Sequence, residues 1–251
     1  TNVWPIGTPG GFPVHTPDKI VIKDIEHWQD YVHAPSLDFP EEEWAMLKGI
    51  LDKVDDNGYV VVTGTDKNIS KSLKIAEERY KKAGRTMPSV ITCSSDGSSA
   101  DFMATDISFE TGHPSFDIKF RGELLGKATL CIPGRHNVDN ALIATACAYL
   151  NGAEPEAIIK ALNEFGGADG RYTVKGYHKG CEVVVDYAHH PTAARATIEA
   201  ASHMPHDNML VVFQPLTFNR TKLLFEDYVT SLLPCRKILF SESLLSRNSS
   251  M

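Results

Sequence analysis

The polar stretch Asp186–Thr192 holds the residue types best suited to chemistry in this chain of 251 residues. It follows three valines and precedes a segment of helix-like composition, so it lies where a strand would end. A carboxylate there, such as Asp186, can accept hydrogen bonds from both hydroxyls of a ribose. Tyr187 offers an aromatic face, and His189 can donate to an anion or take a proton near neutral pH. The same residues would also suit a plain strand-to-helix turn with solvated histidines.

A second polar stretch, residues 134–146, precedes and enters a helix predicted over 138–150. His136 and Asn140 are four residues apart and therefore share one face near the helix start, with Asn137 as the N-cap candidate. An asparagine amide can pair with an adenine edge, which presents both a donor and an acceptor. The alternative is a capping asparagine with two solvated neighbours.

Two arginines lie in predicted turns near these stretches. Arg171 ends the glycine-rich turn 166–171, and Arg220 lies in the loop between a predicted strand and helix. Parallel strands bind ligands at their carboxyl edge, so we expect Arg220 beside Asp186 and His189.

The surrounding pattern predicts an α/β protein. Residues 88–133 alternate in the manner of antiparallel strands, with Phe116, Ile118 and Phe120 on one face. The nearly all-apolar run 209–214 is typical of a strand buried in a parallel sheet. Repeated strand, loop and helix units favour such a sheet. Short strands are also predicted at 59–64 and 237–240, and helices at 39–54, 70–83, 155–165, 192–201 and 220–233.

Composition indicates a globular protein, with 42% hydrophobic and 23% charged residues. A net charge of -7 without a basic run argues against a nucleic-acid partner. The five cysteines are odd in number and lack a CxxC pair, which suggests neither a disulfide framework nor a zinc site. No apolar run approaches the ~18 residues of a membrane span. We therefore expect a cytoplasmic protein with no membrane partner.

Residues 1–44 differ from the rest, because they hold all three tryptophans and six of the fourteen prolines. This segment resembles the N-terminal part of uroporphyrinogen decarboxylase-like and related methyltransferase proteins. The matching residues include Trp4-Pro5, Pro9-Gly10, Phe12–His15, Ile22–Ile25 and Ala34-Pro35.

From about Leu47 to Phe240 the chain resembles the Mur ligase family, and within it the members that add L-alanine. Four motifs in the family's order and spacing carry this resemblance: Gly134-x-His136-Asn137-x-x-Asn140-Ala141, Phe165-x-Gly167 with Arg171, Asp186–Thr192, and Phe213-Gln214-Pro215 with Arg220-Thr221.

The resemblance implies a remnant of the family's central, ATP-binding domain at 47–170 and a partial Rossmann-like C-terminal domain with a parallel sheet at 171–240. Residues 1–46 would be an atypical segment and 241–251 a tail. The implied activity is that of an ATP-dependent, amide-forming ligase of peptidoglycan precursor synthesis. It adds L-alanine to UDP-N-acetylmuramate through an acyl phosphate, with ATP and Mg²⁺.

The resemblance also implies roles for single residues. His136, Asn137 and Asn140 would lie against the adenine, Asp186 would hold the ribose, and Tyr187 would belong to the same nucleotide site. Arg171 would approach the phosphates. His189 and Arg220 would face the reacting groups or the carboxylate of the amino acid.

Several positions depart from the family pattern. The family's Gly-Lys-Thr phosphate loop is absent from the 251 residues, and Gly64–Ser72 ends in Lys-Ser without the glycine that must precede the lysine. Leu216–Thr221 lacks a histidine and an arginine of the family motif, and no residue is assigned as a metal ligand. We therefore expect this chain alone to be inactive. The alternatives are a non-catalytic nucleotide-binding remnant or fusion fragment, and a uroporphyrinogen decarboxylase-like protein.

Overall fold

The computed structural model describes residues 41–54, 58–64, 67–215 and 218–241. The tryptophan- and proline-rich residues 1–40, with the decarboxylase-like resemblance, lie outside the described residues. So do residues 242–251 of the tail.

The described helices and strands alternate through most of the chain. In chain order they are α1 (Glu41–Leu51), β1 (Tyr59–Thr63), α2 (Lys67–Lys82), β2 (Ser89–Ser94), β3 (Phe102–Ser108), β4 (Ser115–Phe120), β5 (Glu123–Thr129), α3 (His136–Leu150), α4 (Pro155–Glu164), β6 (Thr173–His178), β7 (Cys181–Val185), α5 (Pro191–His203), β8 (Val211–Phe213), α6 (Phe218–Leu223), α7 (Phe225–Leu232) and β9 (Ile238–Phe240). This order confirms the predicted α/β class.

A five-stranded sheet in the order β1-β2-β3-β4-β5 forms the first half of the fold. β1, β2 and β3 pair in parallel, whereas β3, β4 and β5 pair antiparallel. The prediction of antiparallel strands throughout 88–133 is therefore wrong for β2. Residue alternation determines which face a side chain takes, but it carries no information about the direction of the neighbouring strand.

The core of this half lies between the sheet and α3. Phe116 and Ile118 of β4 are fully buried, and they share an apolar cluster with Phe102, Val138 and Leu142. The predicted alternation of β4 is thus confirmed where it meets the core. The cluster fixes the start of α3 against the sheet, and the second polar stretch begins there.

A charged cluster ties α1 to α2. Asp52 accepts hydrogen bonds from Lys48 and the Tyr80 phenol, and its Oδ1 lies 2.9 Å from Nη1 of Arg85. The Lys48 bond is the largest of the causes that lower the pKa of Asp52 from 3.8 to about 2. Burial, followed by the bond to Asp52, raises the pKa of Tyr80 to about 12.

This cluster predicts a dependence of stability on acid. The pKa of Asp52 is lower in the folded protein, so its contribution is complete above pH 3.8 and is lost as pH falls towards 2. We expect Asp52→Asn to lower the free energy of unfolding at pH 6, with a difference from the unsubstituted chain that shrinks between pH 4 and pH 2. Urea unfolding at several pH values measures this, and a difference that stays constant with pH would contradict it.

The strands from β6 to β9 depart further from the predicted parallel sheet. Val183–Val185 belongs to β7, which pairs antiparallel with β6 in a two-stranded hairpin and, among the described strands, with no other. Lys179 and Gly180 join the two strands, and both have positive φ, as a two-residue hairpin turn requires. Asp186 therefore follows a hairpin strand and not a strand of a parallel sheet.

A parallel pair is nevertheless present, formed by β8 and β9. β8 covers only Val211–Phe213, and Val212 is 65% exposed, so the predicted longer and fully buried strand is wrong. The single helix predicted over 220–233 is two helices that meet at Leu224. The side chains of α5 and α7 pack on β8 through a cluster that includes Ala194, Phe213 and Tyr228.

Candidate functional site

The turn that carries Arg171 is joined to the end of β7 by two hydrogen bonds. The backbone N–H of Tyr172 donates to Oδ2 of Asp186 at 2.9 Å, and the N–H of Tyr187 donates to the Gly170 carbonyl at 2.8 Å. The backbone next to Arg171 is therefore held at the carboxylate of Asp186, one oxygen of which accepts this bond.

His136 begins α3 and faces this turn. Burial is the main cause that lowers its pKa, and the Asp186 carboxylate is the main opposing influence, ahead of Glu199 and Asp139; Arg171 lowers it further. The residue His136 is exposed as a whole, but its ring is enclosed on one side, because a Cβ added at Gly134 would lie only 2.6 Å from its Cε1. The ring is thus crowded on the Gly134 side and is neutral at pH 7.

The two asparagines lie in the first turns of α3. Nδ2 of Asn137 donates to the Pro133 carbonyl at 2.7 Å, and its Oδ1 accepts from Nδ2 of Asn140 at 3.1 Å. The prediction that Asn137 caps the helix is wrong, because the helix begins at His136 with Arg135 as its N-cap. Asn137 instead orients the amide of Asn140, which is exposed.

His189 is partly buried in the turn after β7. Its Nδ1 lies 2.9 Å from the Tyr187 carbonyl oxygen, which can only accept, so Nδ1 carries the hydrogen. Burial lowers the pKa of His189 and outweighs the hydrogen bond with the Tyr187 carbonyl, which raises it; the nearby cations Arg220 and Arg171 lower the pKa further. At neutral pH the ring is neutral and its Nε2 is an acceptor. The Tyr187 ring stands beside it, with centroids 4.7 Å apart.

Arg220 lies in α6 and is partly buried. Its charge acts on His189 and on the Tyr228 phenol, so α6 faces the turn after β7. Five predicted residues are therefore near enough for their charges to act on one another, and we call them the polar cluster: His136, Arg171, Asp186, His189 and Arg220. The asparagines lie beside His136 on the same helix, and Tyr187 lies beside His189.

Three residues of this region were not predicted. Glu199 of α5 faces His136, Arg135 donates from Nη2 to the Ser95 carbonyl at 2.6 Å, and Tyr228 donates to the His189 carbonyl at 2.5 Å. Each contact joins residues 39 or more apart, so no local spacing could reveal it.

A cavity of about 430 Å³ lies elsewhere, between β5 and α4, and is lined by Leu125, Gly126, Ile159, Lys160 and Asn163 among others. It contains none of the predicted site residues, so the convergence of titratable side chains locates the candidate site better than cavity size does. Within the described ranges no three His, Cys, Asp or Glu residues are grouped as metal ligands. None of the described helices has the length and apolar character needed to cross a membrane.

Two regions of the chain match models of known protein families. The Mur ligase middle domain matches residues 42–148, and the Mur ligase glutamate ligase domain matches residues 170–248. Among solved structures, the UDP-N-acetylmuramate-alanine ligase of Thermotoga maritima superposes with a TM-score of 0.56 at 20% identity, covering 74% of this chain and 46% of that one. A MurF of Acinetobacter baumannii gives 0.61 at 18%, covering 81% and 47%. These two similarities show that the chain shares the fold of these proteins.

Curated relatives extend the match. The UDP-N-acetylmuramate--L-alanine ligase of Caldanaerobacter subterraneus is 36% identical over 195 residues, which are 77% of this chain and 40% of the relative. The protein of the same name from Aquifex aeolicus is 36% identical over 234 residues, which are 93% of this chain and 48% of the relative. The chain thus spans less than half the length of these relatives. The two matched regions, the motifs and the fold all indicate the same family, so the chain belongs to the Mur ligase family.

Proposed function

We propose that this chain provides the nucleotide-binding side of an ATP-dependent, amide-forming ligase of peptidoglycan precursor synthesis, which adds L-alanine to UDP-N-acetylmuramate. The observation that carries this proposal is the convergence of His136, Arg171, Asp186, His189 and Arg220 on one cluster. The names of the relatives that match most of the chain support the same reaction.

The α3 side of the cluster would bind the nucleoside. Asn140, oriented by Asn137, has an exposed amide that can pair with the adenine edge, and the neutral His136 ring can pack against the base. The carboxylate oxygen of Asp186 that does not bind Tyr172 can accept from the ribose hydroxyls. Tyr187 completes this side of the site with its ring.

The cationic side would meet the reacting groups. In the proposed reaction the γ-phosphoryl group passes to the muramoyl carboxylate, the alanine amine attacks the acyl phosphate, and phosphate leaves. Arg171 and Arg220 would stabilise negative charge on the phosphoryl oxygens and on the alanine carboxylate. Nε2 of His189 could accept a hydrogen bond from the amine. Magnesium would neutralise phosphate charge when bound, and we assign no ligand for it in this chain.

A non-catalytic nucleotide-binding protein is the second candidate. It is favoured by the absence of Gly-Lys-Thr from the 251 residues and by Leu216 and Thr217 at positions where the family has a histidine and an arginine. Both candidates require a nucleotide at the same cluster and differ in turnover alone. The decarboxylase-like alternative rests on residues 1–44 and stays a prediction, as do the domain boundaries.

Two measurements on the 251-residue polypeptide test for the nucleotide site and for turnover. Titration with a fluorescent ATP analogue is expected to show saturable binding that unlabelled ATP displaces. Phosphate release with ATP, L-alanine and UDP-N-acetylmuramate is expected to stay at background, because no lysine of a phosphate loop grips the γ-phosphate. Alanine-dependent release would instead favour a complete catalyst, and absence of binding would contradict both candidates.

A further inference from the structure

Tyr228 reaches the cluster from α7, although it belongs to none of the motifs. It is only 5% exposed, and its phenol donates to the backbone carbonyl of His189 at 2.5 Å. Burial raises the pKa of Tyr228, with Arg220 acting in the opposite direction. The phenol is therefore protonated at neutral pH and remains a donor.

Tyr228 and Arg220 belong to one hydrogen-bonded segment. The N–H of Leu224 donates to the Arg220 carbonyl at 2.9 Å, and the N–H of Tyr228 donates to the Leu224 carbonyl at 3.0 Å. These i to i+4 bonds continue across the junction of α6 and α7, and the charge of Arg220 acts on the Tyr228 phenol, so the two residues are held near each other. The phenol that anchors His189 and the guanidinium that acts on it thus come from one short rigid segment.

The ring of Tyr228 is fixed by packing. Its centroid lies 5.3 Å from that of Phe213, the last residue of β8, in a cluster with Ala194 and Ile198 of α5. The N–H of Ala194 donates to the His190 carbonyl at 2.9 Å, so the start of α5 is also fixed to this turn. Because packing fixes the ring, the hydrogen bond from the phenol can restrain the turn that carries His189, which a phenol on an exposed, mobile ring could not do.

We propose that Tyr228 is a positioning residue, whose bond to the His189 carbonyl holds the His189 ring at a set separation from Arg220. A carboxylate or phosphoryl anion would then bind between the two side chains, and this part of the inference rests on the proposed function. The positioning itself concerns the protein without nucleotide and can be tested there.

Tyr228→Phe removes the hydrogen bond and keeps the ring. The charged groups that face His189 are Arg220 from α6 and Arg171 from the turn before β6, and both lower its pKa. Without its anchor the ring is expected to move towards water and away from these cations. We therefore expect the pKa of His189 to rise towards its ordinary 6.5 in an NMR titration of the ligand-free polypeptide.

Tyr177→Phe is the matched control. It also removes one phenol hydrogen bond, to Glu182 at 2.9 Å, but from a residue that is 74% exposed on the β6–β7 hairpin. We expect it to leave the pKa of His189 unchanged. If the pKa of His189 rose equally in Tyr177→Phe and in Tyr228→Phe, the loss of any phenol hydrogen bond would perturb the domain. That result would overturn the proposal.

Arg220→Gln gives a second, independent measurement. It removes a cation that lowers the pKa of His189, so that pKa is expected to rise; the rise should be smaller when Tyr228→Phe is already present. Additive effects would overturn the proposal. No effect of Arg220→Gln in the otherwise unchanged chain would also overturn it, and that measurement is possible even if Tyr228→Phe proves too unstable to study. Loss of nucleotide binding would leave all these titrations interpretable, because they contain no nucleotide.

Discussion

Asp186→Ala is expected to weaken binding of a fluorescent ATP analogue by about tenfold or more. A hydrogen bond to a charged group contributes about 1.5–3 kcal/mol, and 1.4 kcal/mol corresponds to a factor of ten in affinity. The alanine variant loses the ribose acceptor and also the bond that Oδ2 accepts from the Tyr172 N–H. The expected loss therefore includes both a ligand contact and the position of the turn that carries Arg171.

Asp186→Asn separates these two contributions. Its side-chain oxygen can still accept from the Tyr172 N–H, whereas the negative charge is gone. If the charge binds the ribose, the asparagine variant should lose most of the affinity; if the main role of Asp186 is to hold the turn, its affinity should stay close to that of the unsubstituted chain. Asp169→Asn is the control, since Asp169 pairs with Lys175 at 2.6 Å in the same region and is mostly exposed.

The pKa of His136 reports the same geometry without nucleotide. The Asp186 carboxylate is the main influence that raises this pKa against burial, so Asp186→Asn should lower it further. An NMR titration of the imidazole measures the change. Unchanged nucleotide affinity in both Asp186 variants would rule out the ribose assignment, and an unchanged His136 pKa would rule out the proximity of the two side chains.

The sequence predicted which residues lie near one another better than it predicted how they are held. Local chemistry was sufficient for the start of α5, where Pro191 occupies the first turn and His190 accepts from the Thr192 N–H. It was also sufficient to place Asp186 and His189 in one turn. These features depend on residue types within a few positions of one another, whereas Arg220 was placed beside them on the assumption of a parallel sheet, and β7 instead pairs antiparallel with β6.

Three features were missed, one of which depends on a distant partner. The valines of β7 suit a hairpin as well as a parallel sheet, and only the turn at Lys179 and Gly180 distinguishes them. Asn137 has a good capping side chain, but the helix begins one residue before it. The bond between Tyr228 and the His189 carbonyl joins positions 39 apart, so it follows from packing and from no motif.

Gly134→Ala is expected to disturb both halves of the site at once. Gly134 has φ +100, and an added Cβ would lie 2.6 Å from Cε1 of His136 and 3.1 Å from Cβ of Ala200 on α5. The backbone strain costs about 1–3 kcal/mol, which corresponds to a fall in Tm of roughly 2–4 °C per kcal/mol for a chain of this size. The imidazole must also turn away from its place.

Gly122→Ala introduces the backbone strain of an alanine at positive φ without displacing a neighbouring side chain. Gly122 has φ +91, in the turn between β4 and β5, and its added Cβ would meet no atom within 4 Å. We expect both variants to lower Tm, but only Gly134→Ala to weaken nucleotide binding and to raise the pKa of His136 as the ring leaves its crowded position. Equal nucleotide affinities in the two variants would mean that the ring position set by Gly134 has no part in binding, and the adenine role of His136 would then have to be abandoned.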